Sequence, residues 1–402
     1  MKKTILQINT VCGIGSTGRI AVDIDNTIDK NRYNMYIAYG YGKSERENTI
    51  KIGTKFDYII HNILSRLTGR QGRYSWFATN RFLKKVDKIN PDLIHLHNIH
   101  GNYINYKLLF KYIKNKQIPV VWTFHDAWPI TGKCTHFDYI NCDKWKNGCC
   151  NCSNLKEYPM CFVDNSKKEY LEKKKEFTEV KKLYVVTPSN WMAELVRKSF
   201  LGEKNIRVIN NGIDLNKFKY IKDEKTLKKY GKIEKKIVLG VANDWNKRKG
   251  LDTFIELARN LPEEYQIIMV GLEEKQFKMI PNNVIKVKKT SSIEELAKLY
   301  SIADVFVNPT LEDNFPTTNI EAIACGTPVI TYNTGGSGEM LDDKSGMVIE
   351  KGNIEALKKE LYNIKKKKSE NKDCVNRAQK YNKNQIFSQY EKLYDEVLKE
   401  KK

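Results

Sequence analysis

No run in this 402-residue chain approaches the roughly 18 consecutive apolar residues that a membrane-spanning helix needs, so none is expected. The opening MKKTILQINTVCGIG sets a basic pair before apolar residues, but Gln7 and Asn9 interrupt it and no small-residue cleavage site follows. It reads as a first β-strand, and the protein as cytoplasmic, at most peripheral on a membrane. Zinc-finger, homeodomain and RNP-type patterns are missing, which argues against nucleic acid as the partner of a chain with net charge +22. Equally missing are a Ser-His-Asp set, an activated Cys, a forced pair of acid/base carboxylates and an Asp-x-Asp metal site that stands out. There is neither a solenoid-period repeat nor a long low-complexity linker.

What is present is apolar material for two cores: 41% hydrophobic residues, with 22 Tyr and 15 Phe. Short apolar runs alternate with helical patterns, as in a doubly wound α/β chain. Strands are expected at Thr4–Val11, Asn34–Tyr39, Leu93–His97, Val120–Phe124 and Leu183–Thr187. After a Lys-rich, loop-like stretch near Lys217–Lys236 the pattern restarts, with strands at Ile237–Val241, Gln266–Val270, Val284–Val287, Val305–Asn308 and Val329–Tyr332. Helices are expected at Phe56–Leu67, Asn105–Lys114, Leu251–Asn260, Ser292–Ser301 and Thr318–Cys325. The resulting layout is two Rossmann-like domains, 1–212 and 213–383, facing across a cleft. A helix at Asn384–Glu400 follows, with apolar positions at helical spacing suited to packing back on the first domain.

Gly13-Ile14-Gly15-Ser16-Thr17-Gly18 matches G-x-G-x-x-G after the first strand. A dinucleotide site also needs an acid at the end of the second strand, and that strand ends Ile37-Ala38-Tyr39-Gly40. The motif therefore reduces to a glycine turn whose amides approach a phosphate or sugar, or to a turn that merely needs glycine.

In the second half, Asn308-Pro309-Thr310 ends a strand, Asp313–Pro316 turns, and a helix begins near Thr317-Thr318. Its free amides and positive dipole end favour a pyrophosphate, with Thr317, Thr318 and Asn319 the residues closest to it. Asp313 and Glu321, eight apart, have the chemistry to accept hydrogen bonds from vicinal sugar hydroxyls. Thr318-Asn319-Ile320-Glu321 is also a capping box, in which Glu321 only closes the helix start; the local pattern leaves both readings open.

Asp313–Glu321 followed by Ala-Ile-Ala-Cys-Gly-Thr-Pro-Val resembles the signature of retaining family 4 glycosyltransferases of the GT-B fold. The resemblance implies that Asp313 meets the transferred sugar and Glu321 the nucleotide ribose. Asp stands where Glu is usual, with Glu312 one residue out of register. Thr334–Glu339 resembles the family's Gly-Gly…Glu loop. VLGVANDWNKRKG at Val238–Gly250 resembles the segment that carries an Arg and a Lys to the diphosphate. Lys249 falls on the Lys with Arg248 beside it, and Asn243 replaces the Arg. In the first half, Gly15, Ser16 and Thr17 match the glycine loop near the donor phosphates, His125 the active-site His, and Asn211 part of the interdomain Asn-Gly-Ile-Asp segment. Pro188–Trp191 resembles the family's Ser-Asn element.

The implied activity is transfer of a hexose-type sugar from a UDP- or GDP-sugar to a glycan acceptor, with retention, in surface-polysaccharide assembly. The leaving diphosphate would help deprotonate the acceptor and no catalytic metal is required. A GT-B sugar-nucleotide 2-epimerase and a catalytically dead sugar-nucleotide binder are the rival readings.

Six of the nine Cys fall in 132–161, after His-Asp-x-Trp-Pro, which resembles an insertion in polysaccharide-assembly transferases. Cys134, Cys142, Cys149 and Cys152 form a candidate structural zinc set, against free thiols. Phe56–Lys85 combines apolar residues with Arg66, Arg70, Arg73, Arg81, Lys84 and Lys85. It reads as a dock for an anionic membrane or a lipid-linked acceptor, or as an ordinary core-facing helix with a basic outer face. The excess of Lys, including Lys365–Lys368, Lys399, Lys401 and Lys402, likewise reads as a solvated surface or as attraction to an anionic one.

Overall fold

The computed structural model describes residues 2–230, 234–367 and 369–399; Lys368, Glu400, Lys401 and Lys402 of the expectations above lie outside them. The chain divides into two compact units, Met1–Asn210 with Asn384–Lys402, and Asn211–Lys383.

The first unit is built on seven strands: β1 (Lys3–Val11), β2 (Tyr33–Tyr41), β3 (Thr49–Lys51), β4 (Leu93–Leu96), β5 (Val120–Thr123), β6 (Leu183–Thr187) and β7 (Asn205–Val208). They pair in the order β3-β2-β1-β4-β5-β6-β7, all parallel. Strands β4, β5 and β6 are buried along their whole length. Val, Ile and Leu are required on both faces of such strands because helices cover both sides of a parallel sheet. One face packs under aromatics such as Tyr106, Trp122, Trp128 and Phe177. The other is covered by the helices Gly15–Thr27 and Lys383–Lys399. The second of these comes after the whole of the other unit in sequence, yet Phe387, Tyr390, Tyr394 and Val397 complete this core beside Ile5, Val121 and Tyr184.

The second unit carries β8 (Lys236–Val241), β9 (Tyr265–Val270), β10 (Val284–Val287), β11 (Val305–Asn308), β12 (Val329–Tyr332) and β13 (Gly346–Ile349), parallel in the order β10-β9-β8-β11-β12-β13. Both units are thus parallel-sheet Rossmann-like domains. The stretch expected to be a loop near Lys217–Lys236 contains a helix, Glu224–Tyr230, and Lys236 already belongs to β8. The strands that the apolar runs missed, β3, β7 and β13, all lie at sheet edges. They are short and only half-buried, so they lack the continuous apolar signature of the central strands.

Sheet order fixes where ligands go. In each sheet the winding reverses between two neighbouring strands, β1 and β4 in the first, β8 and β11 in the second. The crevice outside their carboxyl ends is the natural binding place.

Candidate active site

In the second unit the carboxyl ends of β8 and β11 bring the two sequence motifs together. The turn after β8 closes at Gly250, whose φ of +79° and close approach to the Pro309 carbonyl leave no room for a side chain. This pins Arg248 and Lys249 against the loop that follows β11. Leu311 donates its amide to the Arg248 carbonyl at 2.7 Å, and the Arg248 guanidinium donates to the Glu312 carbonyl at 2.8 Å. Lys249 Nζ is ion-paired to the Asp313 carboxylate, with both side chains partly open to solvent. Glu312 is buried, so Asp313 is the carboxylate that faces Lys249.

The loop is also held from behind. Gly336 donates its amide to the Asp313 carbonyl at 3.1 Å, and a Cβ on Gly335 would lie 1.9 Å from that same oxygen. Gly335 is therefore needed because the Asp313 backbone rests directly on it. Asn211 Nδ2 donates to the Phe315 carbonyl at 3.4 Å, which places Asn211 as a brace of the loop.

The helix Thr317–Ala324 starts from Pro316, with no side-chain cap. Thr317 and Thr318 present its first two amides, which have no carbonyl to bond within the helix. The capping-box reading of Glu321 is overturned. Thr318 lies inside the helix, and Glu321, one turn further in, accepts a hydrogen bond from the Tyr300 hydroxyl at 3.1 Å. The Asn319 side chain is a brace. It is fully buried, its Oδ1 accepts from Asn308 at 2.8 Å, and its Nδ2 donates to the Ser337 carbonyl at 2.8 Å. Asn319→Ala would leave a buried amide and a buried carbonyl without partners. A loss of about 2–6 kcal/mol is expected, at about 1–3 kcal/mol per unsatisfied group, read as a lower urea midpoint.

In the first unit, the glycine turn after β1 opens the helix Gly15–Thr27, with Gly15 and Ser16 exposed in its first turn. Asn9 Nδ2 reaches the Thr17 hydroxyl at 3.4 Å and the Val11 carbonyl at 2.9 Å. His125, just past the end of β5, is held by residues that no motif indicated. Gln7 donates its Nε2 to the Ala21 carbonyl, so its Oε1 is the atom that faces His97 Nε2 at 2.9 Å. His97 must therefore carry its proton on Nε2 and accept at Nδ1 from His125 Nε2, also at 2.9 Å. The chain Gln7–His97–His125 fixes the His125 ring through its Nε2. Burial holds the His125 pKa down at about 4 and that of His97 well below the usual imidazole value. The residue pattern His95-Leu96-His97-Asn98-Ile99-His100 was the signal to follow. Alternate residues of a strand share a face, which stacks His95 on His97 with ring centres 4.2 Å apart. Next to this row, His100 Nε2 bonds Asp126 at 2.8 Å and its Nδ1 meets the Tyr158 hydroxyl at 3.1 Å.

Cys134, Cys142, Cys149 and Cys152 are free thiols in or against the first core, and Cys150 is exposed. Cys149 Sγ accepts the Gly132 amide at 3.1 Å, and Cys134 hydrogen-bonds Cys152, drawing the Cys152 thiol below its ordinary pKa. Among the described residues no three His, Cys, Asp or Glu side chains are grouped to hold a metal ion.

Comparison with known proteins agrees with this architecture. Residues 33–217 match the family model Glycosyltransferase Family 4, and residues 222–381 the model Glycosyl transferases group 1. The chain is 26% identical over 361 residues to WcaC of Escherichia coli, named for colanic acid biosynthesis glycosyl transfer; the match covers 86% of this chain and 87% of that protein. It is 29% identical over 222 residues to the N,N'-diacetylbacillosaminyl-diphospho-undecaprenol alpha-1,3-N-acetylgalactosaminyltransferase of Campylobacter jejuni, 52% of this chain and 58% of that one. Its fold matches Anabaena HepE in complex with UDP-glucose, with a TM-score of 0.62 and 14% identity over 98% and 99% of the two chains. The two family models fall on the two parallel-sheet domains and together span most of the sequence. The chain is therefore a glycosyltransferase, a family 4 domain followed by a group 1 domain.

Proposed function

We propose that the enzyme moves a hexose-type sugar, with retention, from a nucleoside-diphosphate donor to a lipid-linked glycan during assembly of a surface polysaccharide on the cytoplasmic side of a membrane. The observation that carries this reading is the meeting of Lys249, Arg248, Asp313 and the first turn of Thr317–Ala324 at one sheet's switch point. The helix start and the two cations suit a diphosphate, and the carboxylates of Asp313 and Glu321 suit sugar hydroxyls. UDP is the favoured base because HepE, of like fold, binds UDP-glucose. The relatives from Escherichia coli and Campylobacter support the polysaccharide and lipid-linked parts of the reading.

In this reading the donor diphosphate takes Lys249 away from Asp313. Asp313 is thereby released toward the transferred sugar, and the cation neutralises the charge that develops on the leaving group. His125, its orientation fixed through His97 and Gln7, is the first domain's contact to the transferred sugar. The leaving diphosphate assists loss of the acceptor proton, and the protein supplies positioning and charge.

The test is transfer from UDP- and GDP-sugars to a polyprenyl-diphosphate-linked oligosaccharide, with the anomeric configuration of the product read by NMR. Glu321→Gln retains an oxygen for Tyr300 but loses the charge, and is expected to raise the donor KM about tenfold, as loss of one charged hydrogen bond does. Donor consumed without acceptor would point to the epimerase instead. Neither transfer nor donor turnover in the wild-type protein would leave a sugar-nucleotide binder.

A further inference from the structure

The helix Lys55–Thr68 is inside out. Its apolar residues recur at i, i+3, i+4, i+7 and i+11, the spacing of a core-facing stripe. Yet its only fully buried side chains are His61 and Ser65. The apolar stripe points to solvent: Phe56 is 70% exposed, Ile63 50% and Leu67 54%, with Ile59 and Ile60 between them also exposed. The polar side is locked inward, His61 Nδ1 meeting the Ser75 hydroxyl at 2.7 Å and His61 Nε2 accepting the Tyr74 amide at 3.4 Å. A desolvated imidazole under an exposed row of Ile and Phe is the reverse of what water alone selects.

The next helix, Trp76–Ile89, shows the ordinary arrangement. Phe82, Leu83 and Val86 are buried, while Arg81, Lys84, Lys85 and Lys88 face out. Its first turn joins the apolar face, with Phe77 81% exposed and Trp76 beside it. At the other end of the inside-out helix, Phe162, itself exposed, donates its amide to the Arg66 carbonyl at 2.8 Å and extends the patch. Lys55 and Arg66 flank the stripe on the same helix. Arg81 reaches Asp57 at 3.9 Å, which sets the starts of the two helices side by side, so their exposed apolar residues share a cation-rimmed face on a chain of net charge +22.

We propose that this face docks on a bilayer carrying anionic headgroups, with the side chains of Phe56, Ile59, Ile60, Ile63, Leu67 and Phe77 entering the acyl boundary. Charge selects the occupant. The Lys84, Lys85 and Lys88 rim complements anionic lipid and would repel a second copy of the same rim brought face to face. An apolar row without such a rim would suit a protein partner equally well. The pocket lined by Arg70, Arg73, Trp76 and Lys107 is a different matter. Its cations are already matched by Glu169 and Glu172, so the rim, and not the pocket, supplies the attraction. The proposal rests on the exposed face; a membrane-held acceptor, as proposed above, gives it a purpose.

The experiment is co-sedimentation of the full-length protein with phosphatidylcholine vesicles, with and without about one-quarter phosphatidylglycerol. Wild-type protein is expected to partition about tenfold more to the anionic vesicles, and Ile63→Glu or Phe77→Glu to remain in the supernatant. Lys84→Glu with Lys85→Glu is expected to abolish the preference for anionic lipid. All these residues lie on the surface and outside the donor site, so transfer to a soluble acceptor should be unchanged, which separates failure of docking from failure of the enzymatic reading. Equal recovery of wild type and Ile63→Glu from both vesicle types would overturn the proposal. So would a concentration-dependent dimer in sedimentation velocity that Ile63→Glu abolishes, which would assign the face to a second copy.

Discussion

Lowering the pH from 7 to 5 is expected to destabilise the first domain by about 4 kcal/mol while the second changes little. Burial holds His61 and His95 at a pKa of about 3 and His125 at about 4, with His97 also well below the ordinary value near 6.5. Their folded pKa values are thus lower than their unfolded ones. Between pH 6.5 and about 4 the unfolded chain binds more protons, so stability falls as pH drops through that window. One such imidazole is worth about 2 kcal/mol between pH 7 and 5. His95, His97 and His125 form one stacked row and do not add independently. His61 is separate, bonded between the Lys55–Thr68 helix and Ser75. Even two independent groups amount to about 4 kcal/mol, a large share of the roughly 5–15 kcal/mol that holds a domain together. The check is urea unfolding at pH 7, 6 and 5. The midpoint of the transition that reports the first domain should move steeply and that of the second little. His61→Gln should flatten the slope. A midpoint that stays constant from pH 7 to 5 would mean that these rings are not held neutral by burial.

Lys249→Ala is expected to lower kcat by about 10²–10³, with a much smaller change in donor KM. That is the scale on which removal of a single charge-stabilising group acts when it works mainly in the transition state. In the resting structure the Lys249 ammonium is satisfied by Asp313, so what donor binding gains from Lys249 is partly offset by breaking that pair. The demand rises as the sugar–phosphate bond breaks and charge collects on the departing diphosphate. Lys249→Arg should restore part of the rate, since charge is kept and geometry is not. Asp313→Asn, which removes the resting partner and keeps Lys249, should give a smaller fall than Lys249→Ala. A Lys249→Ala protein that loses donor affinity and retains its kcat would show that the residue only binds.

The central strands and the covered helices were legible because their chemistry is uniform along their length. Val, Ile and Leu on both faces of β5, β6 and β9 can mean little other than a parallel sheet under helices. Edge strands escaped because β3, β7 and β13 share their pattern with loops. The donor segment was legible as a spacing, but not as a set of contacts. Glu321 and Asn319 stand three and one residues from Thr318 in sequence, yet one bonds Tyr300 and the other Asn308 and Ser337, choices made by tertiary packing. His97 was invisible to motif reading for the same reason: its role depends on Gln7 and His125, 90 and 28 residues away. The inside-out helix shows the limit of periodicity. The stripe was correctly seen, and nothing in its spacing says whether it faces a core or water.

The helix Lys383–Lys399 carries a consequence for how the protein is made. Tyr394 bonds His95, and Tyr390 bonds Thr123, which itself bonds His95. The first domain's core is thus sealed by residues synthesised after the entire second domain. Emerging from the ribosome, β1 to β7 must wait with a row of buried imidazoles uncovered while some 170 further residues are added, whereas the second domain, contiguous from Asn211 to Lys383, can close as soon as it emerges. The half of the chain that is synthesised first therefore has its core completed last.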